Sequence, residues 1–150
     1  MGDIVKLRIF VFDREDSLRE LLTIIARNKG HEVFSFAEPA ICPLYSDPEC
    51  SCPLEYTCGD LIIIDNRMLK MPAMELIRKQ IEHGCKGSAQ NKLVLSTSST
   101  NKEELRLAEE LGFKLMKKPF KVKDISDWID ECEKRIDPNR KLAELDLESL

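Results

Sequence analysis

Apolar residues along this chain come in short unbroken runs, and each run is followed by a longer stretch in which they recur every three or four positions. Ile9-Phe10-Val11-Phe12 is the first run and reads as a strand buried on both faces. It stops at Asp13-Arg14-Glu15-Asp16, after which Ser17 and Glu20 have the spacing of a capping box and Leu18, Leu21, Leu22 and Ile25 form one helical face ending at Gly30. Glu32 to Phe36 reads as a second strand. Leu61-Ile62-Ile63-Ile64 is a third, ending at Asp65, with a helix from about Pro72 that turns Met74, Ile77 and Ile81 inward and stops at Gly84. The pattern repeats with Leu93-Val94-Leu95, then Ser96-Thr97, then a Thr100–Glu103 capping box and a helix through Leu105, Ala108 and Leu111 to Gly112. Phe113 to Met116 makes a fifth strand, Lys118-Pro119-Phe120 breaks it, and Ile125, Trp128, Ile129, Cys132 and Ile136 mark the buried stripe of a last helix.

Strands alternating with amphipathic helices predict a doubly wound α/β domain, because parallel neighbours need right-handed crossovers that cover both faces of the sheet. In such a sheet, functional residues gather beyond the C-terminal strand ends. Asp13, Asp65, Ser96, Thr97 and Lys118 all fall there.

Composition narrows the functional classes. The 150 residues suit one domain, with residues 1–136 as its body and 137–150 as a polar tail whose Leu142, Leu145 and Leu147 either extend a helix or fray. No apolar run approaches the roughly 20 residues of a membrane span. With 27 acidic against 23 basic residues, a net charge of -4, the surface is not built to bind phosphate backbones directly. The first eight residues lack a signal-peptide pattern, so the chain is expected in the cytoplasm.

Asp13 followed by Leu18-Arg19, Asp65 after Asp60-Leu-Ile-Ile-Ile, a hydroxyl residue after the fourth strand, and Lys118-Pro119-Phe120 together resemble the receiver domain of two-component response regulators. The likeness spans about Lys6 to Ile136. It implies a flavodoxin-like five-stranded parallel sheet of order 2-1-3-4-5 with helices on both faces. It also implies that Asp65 accepts a phosphoryl group from a histidine kinase or phosphotransfer protein. Asp13, Asp65 and the backbone carbonyl of Arg67 would bind Mg²⁺, and Lys118 would contact the phosphoryl group with Ser96 or Thr97. A carboxylate attacks a phosphoryl donor only if cations offset the charge on the phosphoryl oxygens, which accounts for these residue types. By the same resemblance the chain signals rather than catalyses, apart from its own phosphorylation and dephosphorylation. No output domain fits in residues 137–150, so the expected readout is a protein partner at the fourth helix and fifth strand.

The sequence departs from that pattern at several places. Arg14 stands where a second acidic residue is usual, which weakens the Mg²⁺ site and predicts a guanidinium reaching Asp65. Glu15 is a neighbouring carboxylate. Leu69 and Ala73 replace a proline and a glycine of the acceptor loop, and Leu115 replaces the aromatic whose rotamer often reports the switch. If the pocket is filled by ion pairs, the alternative is a degenerate receiver-like module that binds partners without phosphorylation.

The largest departure is residues 37–59, AEPAICPLYSDPECSCPLEYTCG, where a receiver has its second helix. This stretch carries four of the seven prolines and four of the six cysteines, and predicts a Cys/Pro-rich loop. Cys42, Cys50, Cys52 and Cys58 are spaced unlike paired CxxC zinc modules. Topology nevertheless brings Cys58, at the start of the third strand, near Cys85, after the next helix. Four of these five thiols are a candidate Zn²⁺ site, with His83 as a further ligand. Redox-active thiols and thiols packed as small hydrophobes are the other readings, the last suiting Cys132. A metal or redox sensor is accordingly a third functional class. His31 and His83 read as surface histidines.

Overall fold

The computed structural model describes residues 5–97 and 102–147. Five strands, β1 (Arg8–Phe12), β2 (Glu32–Phe36), β3 (Leu61–Asp65), β4 (Lys92–Ser96) and β5 (Lys114–Lys117), pair in parallel in the order β2-β1-β3-β4-β5. The long helices are α1 (Asp16–Asn28), α3 (Ala73–Glu82), α4 (Lys102–Leu111) and α5 (Val122–Glu133), and the short α2 (Pro43–Ser46) lies within the cysteine-rich segment. The doubly wound parallel sheet expected from the alternation is therefore present, in the flavodoxin-like order that the resemblance implied.

Two apolar cores flank the sheet. On one side Ile9, Val11, Ile63, Leu93 and Leu95 meet Leu22, Ile25 and Ala26 of α1 and Ile125, Trp128, Ile129 and Cys132 of α5. On the other, Phe10, Phe12, Ile64 and Val94 pack against α2, α3 and α4 through Leu44, Tyr45, Met74, Leu76, Ile77 and Ala108. Alternation along each central strand feeds both cores, which is why those strands are apolar throughout. Gly59 is needed where the chain enters β3, since a Cβ there would stand 2.5 Å from the Phe10 ring.

Several local expectations are corrected. The capping box at the start of α1 does not form: the helix begins at Asp16 after Glu15, and the Ser17 hydroxyl donates to Glu15 Oε1. The box at Thr100 lies outside the described residues. Ile81 and Leu105 are exposed, not inward, because Gln80 takes the buried position on α3 and Ala108 the one on α4. His31 is buried, its Nδ1 accepting the Leu7 N–H at 3.1 Å. The cysteine-rich segment keeps one helical turn, α2, with Pro43 in the first turn, where a missing N–H costs nothing.

The tail neither extends α5 nor frays within the described residues. Arg140 grips the buried Asp60 with two nitrogens at 2.6 and 2.8 Å, Leu142 bridges to Thr57, and Ala143 donates to the Thr57 carbonyl at 2.9 Å. Residues 140–143 thus strap the chain leading into β3.

Candidate functional site

Asp13 directly follows β1 and Asp65 ends β3, and the two meet at the same edge of the sheet because Phe12 pairs with Ile64. Asp13 and Asp65 are almost wholly buried. β5 ends beside Ser96, whose carbonyl accepts the Lys118 N–H at 2.8 Å, and the Lys118–Pro119 peptide is cis. Lys118 Nζ then lies between the carboxylates, 2.9 Å from Asp65 Oδ2 and 3.2 Å from Asp13 Oδ2.

The two acids differ in environment. Burial pushes the Asp13 carboxyl above its usual range; the Glu15 N–H and the Lys118 charge oppose this and lose. For Asp65 burial also raises, but the Arg67 N–H at 3.0 Å, the Lys118 ammonium and the Arg67 guanidinium together prevail and hold it below the usual range. Asp65 is therefore the more firmly ionised of the pair. An open pocket of about 270 Å³ lies above it, lined by Arg14, Glu15, Asp65 and Arg67.

Among solved structures, the chain is similar to a response regulator receiver domain protein of Methanospirillum hungatei JF-1, with a TM-score of 0.64 and 20% identity over 87% of this chain and 95% of that one. A signal receiver domain of a putative Luxo repressor from Vibrio parahaemolyticus matches with a TM-score of 0.67 and 14% identity over 87% and 92% of the two chains. The chemotaxis response regulator CheY4 of Vibrio cholerae matches with a TM-score of 0.60 and 20% identity over 85% and 98%. The chain has the receiver fold. No family model and no curated protein matches the sequence.

Within that receiver fold, Asp13, Asp65 and Lys118 converge as the sequence implied. Ser96 ends β4, buried, whereas Thr97 is exposed. Arg14 does not reach Asp65. Its nearest carboxylate is Glu38, at 3.9 Å, because the chain turns at Asp13 and sends residue 14 towards the loop after β2. The guanidinium on Asp65 belongs to Arg67, 3.4 Å away, a residue singled out only for its backbone carbonyl. Two adjacent buried carboxylates, Asp13 and Asp65, are oxygen donors that suit a hard cation which keeps most of its water, so these side chains fit Mg²⁺.

Glu38 and Tyr45 escaped the sequence analysis. The Tyr45 hydroxyl donates to Glu38 Oε1 and accepts the Lys70 N–H at 2.9 Å, and Glu38 Oε1 accepts the Leu69 N–H at 2.8 Å. The cysteine-rich segment therefore holds the loop that follows Asp65.

The expected zinc site is corrected. Among the described residues no group of three or more His, Cys, Asp or Glu side chains is placed to hold a metal ion. The thiols are engaged otherwise: Gln80 Nε2 donates to Cys42 Sγ at 3.3 Å, and Gly87 N–H and Lys92 Nζ to Cys85 Sγ at 3.4 and 3.5 Å. Burial pushes the Cys42 thiol up and that of Cys58 to about 11, disfavouring the ligating thiolate. Cys50 and Cys52 are partly buried without joining such a group, and Cys132 packs as a small hydrophobe on α5, its thiol pushed up to about 12 by burial. Among the described residues no helix is long and apolar enough to cross a membrane.

Proposed function

We propose that this chain is a phospho-acceptor switch of two-component signalling in which Asp65 takes a phosphoryl group from the phosphohistidine of a kinase or phosphotransfer protein. The observation that carries the reading is Lys118 Nζ seated between two buried carboxylates at the C-terminal edge of the sheet. Asp65, kept ionised, is the nucleophile: its oxygen attacks phosphorus as the imidazole nitrogen leaves. Lys118 moves its hydrogen bond from the carboxylate to a phosphoryl oxygen, and the Ser96 hydroxyl hydrogen-bonds another. Asp13, Asp65 and the Arg67 carbonyl would hold Mg²⁺, which offsets the charge on the phosphoryl oxygens when bound. The guanidinium of Arg67 gives way, since it is mostly exposed and its contact with Asp65 is long. Once the Lys118 contact has changed at the end of β5, the α4–β5 face alters its affinity for a protein partner. The expected site of action is the cytoplasm.

The test is intact mass after incubation with acetyl phosphate and Mg²⁺. One phosphoryl adduct on the wild type and none on Asp65→Asn supports the proposal; an adduct that persists in Asp65→Asn, or none on the wild type, rejects it. The Arg67–Asp65 contact favours a second reading, a partner-binding module whose pocket is already filled by a cation, and the absence of any adduct would leave that one standing.

A further inference from the structure

At the opposite edge of the sheet, Lys92 opens β4 with only 2% of its surface exposed. Its ammonium donates to Gln80 Oε1 at 2.5 Å and to Cys85 Sγ at 3.5 Å, and among the described residues no carboxylate lies within 4 Å of it. A buried ammonium needs acceptors, and besides the Gln80 amide it is the Cys85 sulfur that accepts from it, 3.5 Å away. The Gly87 N–H adds a second donor to the same sulfur. Gln80 continues the network to Cys42 Sγ.

The cysteine-rich segment closes over this point. Cys52 N–H donates to the His83 carbonyl at 2.8 Å, fastening the loop to the end of α3. A Cβ placed on Gly87 would lie 3.2 Å from Thr57 Oγ1 and 3.7 Å from Cys85 Sγ, so Cys85 and the residue preceding Cys58 flank the same glycine. Cys42 and Cys58 line one small apolar pocket, and Cys58 and Cys85 are half-buried residues.

We propose that Cys85 is a peroxide-reactive thiol, activated by Lys92 and resolved by Cys58. The Cys85 sulfur attacks the distal oxygen of a hydroperoxide, and the leaving alkoxide or hydroxide takes a proton from water, giving a sulfenic acid. The Cys58 thiol then attacks that sulfur, and the hydroxyl departs as water with the thiol proton. One disulfide forms, two electrons having passed from the sulfurs to the peroxide. The bond ties the cysteine-rich segment to the α3–β4 turn.

The test uses the whole chain, freshly reduced and treated with one equivalent of hydrogen peroxide, followed by non-reducing peptide mapping. A Cys58–Cys85 disulfide is expected, absent in Cys85→Ser and retained in Cys132→Ser. Cys58→Ser should leave a sulfenic acid at Cys85 that a dimedone probe labels. Lys92→Met, which keeps the apolar stem, should slow labelling about tenfold. If Lys92→Met fails to fold, the wild-type map and the two serine variants decide. Cys85 left reduced, Cys85 linked to another cysteine, or one equivalent of bound zinc found by elemental analysis of the untreated protein would overturn the proposal.

Discussion

Two lysines are buried at opposite edges of one sheet, and their surroundings differ in kind. Lys118, after β5, faces two carboxylates, Asp13 and Asp65, beneath an open pocket. Lys92, at the start of β4, faces an amide and a thiol beneath a loop. The first cation is balanced, leaving a site with exchangeable hydrogen bonds into which an anionic group can enter. The second meets no carboxylate among the described residues, and its ammonium donates to sulfur. The same ammonium thus meets carboxylates at one edge and an amide with a thiol at the other, and the difference lies in which elements reach it: the ends of β1 and β3 for Lys118, α3 and the turn after it for Lys92.

Replacing the two lysines separates them most strongly. Lys118→Met leaves two buried carboxylates facing each other without the ammonium between them and should cost about 1–3 kcal/mol at neutral pH. Lys92→Met removes an ammonium that has no carboxylate partner among the described residues, so relief of desolvation offsets the loss of its bond to Gln80 and stability should stay within about 1 kcal/mol of the wild type. Urea denaturation of both variants measures this. Equal losses would erase the contrast drawn here.

Titration sharpens the same contrast within the phosphoryl edge. Asp65 is held below its usual range, so its contribution to stability is present above the ordinary carboxylate range and lost as pH falls through the depressed folded value. Asp13 is raised, so its ionisation penalises the fold above the raised value and that penalty fades as pH falls through it. Asp13→Asn should therefore stabilise the protein near neutrality and flatten the profile just above the ordinary range, while Asp65→Asn flattens it below. Denaturation midpoints at a series of pH values report both; a destabilised Asp13→Asn would show that its bond to Lys118 outweighs burial.

How far the site was legible in the sequence depends on whether position along a strand or the path of a loop decided the placement. Asp13, Asp65 and Lys118 could be placed because a strand's end is visible where its apolar run stops, and parallel strands put those ends together. Arg14 and Arg67 exchanged parts because the turn after Asp13 determines which cation faces the pocket, and no periodicity encodes that turn. Ile81 and Leu105 were read inward because they continue a stripe, but the buried place on α3 goes to Gln80, whose amide is wanted by Lys92 and Cys42. The Glu38–Tyr45 clamp depends on α2, one turn inside a proline-rich segment, where helix rules predict nothing.

That clamp fastens the cysteine-rich segment to the loop after β3. Tyr45→Phe removes the hydroxyl that accepts the Lys70 N–H and donates to Glu38, a loss of about 1 kcal/mol. Faster amide exchange is expected at Lys70, with exchange in β1 unchanged. Exchange that rises across the whole chain would mean that Tyr45 matters only as core packing.

The smallest effects should come from the two arginines at the phosphoryl edge, and they differ in a way that geometry alone dictates. Arg67 Nη2 lies 3.4 Å from the oxygen of Asp65 that also accepts from Lys118, so a phosphoryl donor must displace it. Arg14 lines the same pocket but pairs at 3.9 Å with Glu38, is half exposed, and has no bond to the acceptor. Arg67→Ala keeps the backbone carbonyl and N–H, so its expected result is a few-fold faster phosphorylation of Asp65 by acetyl phosphate, the gain of freeing one exposed charge contact. Arg14→Ala should stay within about twofold of the wild type for the same reason. Arg14→Asp adds a carboxylate beside Asp13 and should tighten Mg²⁺, since a hard dication gains from each further oxygen ligand it can reach. Rates measured by intact mass, with Mg²⁺ titrations of the three variants, order them; Arg14→Ala outpacing Arg67→Ala would place the obstructing charge at residue 14 after all.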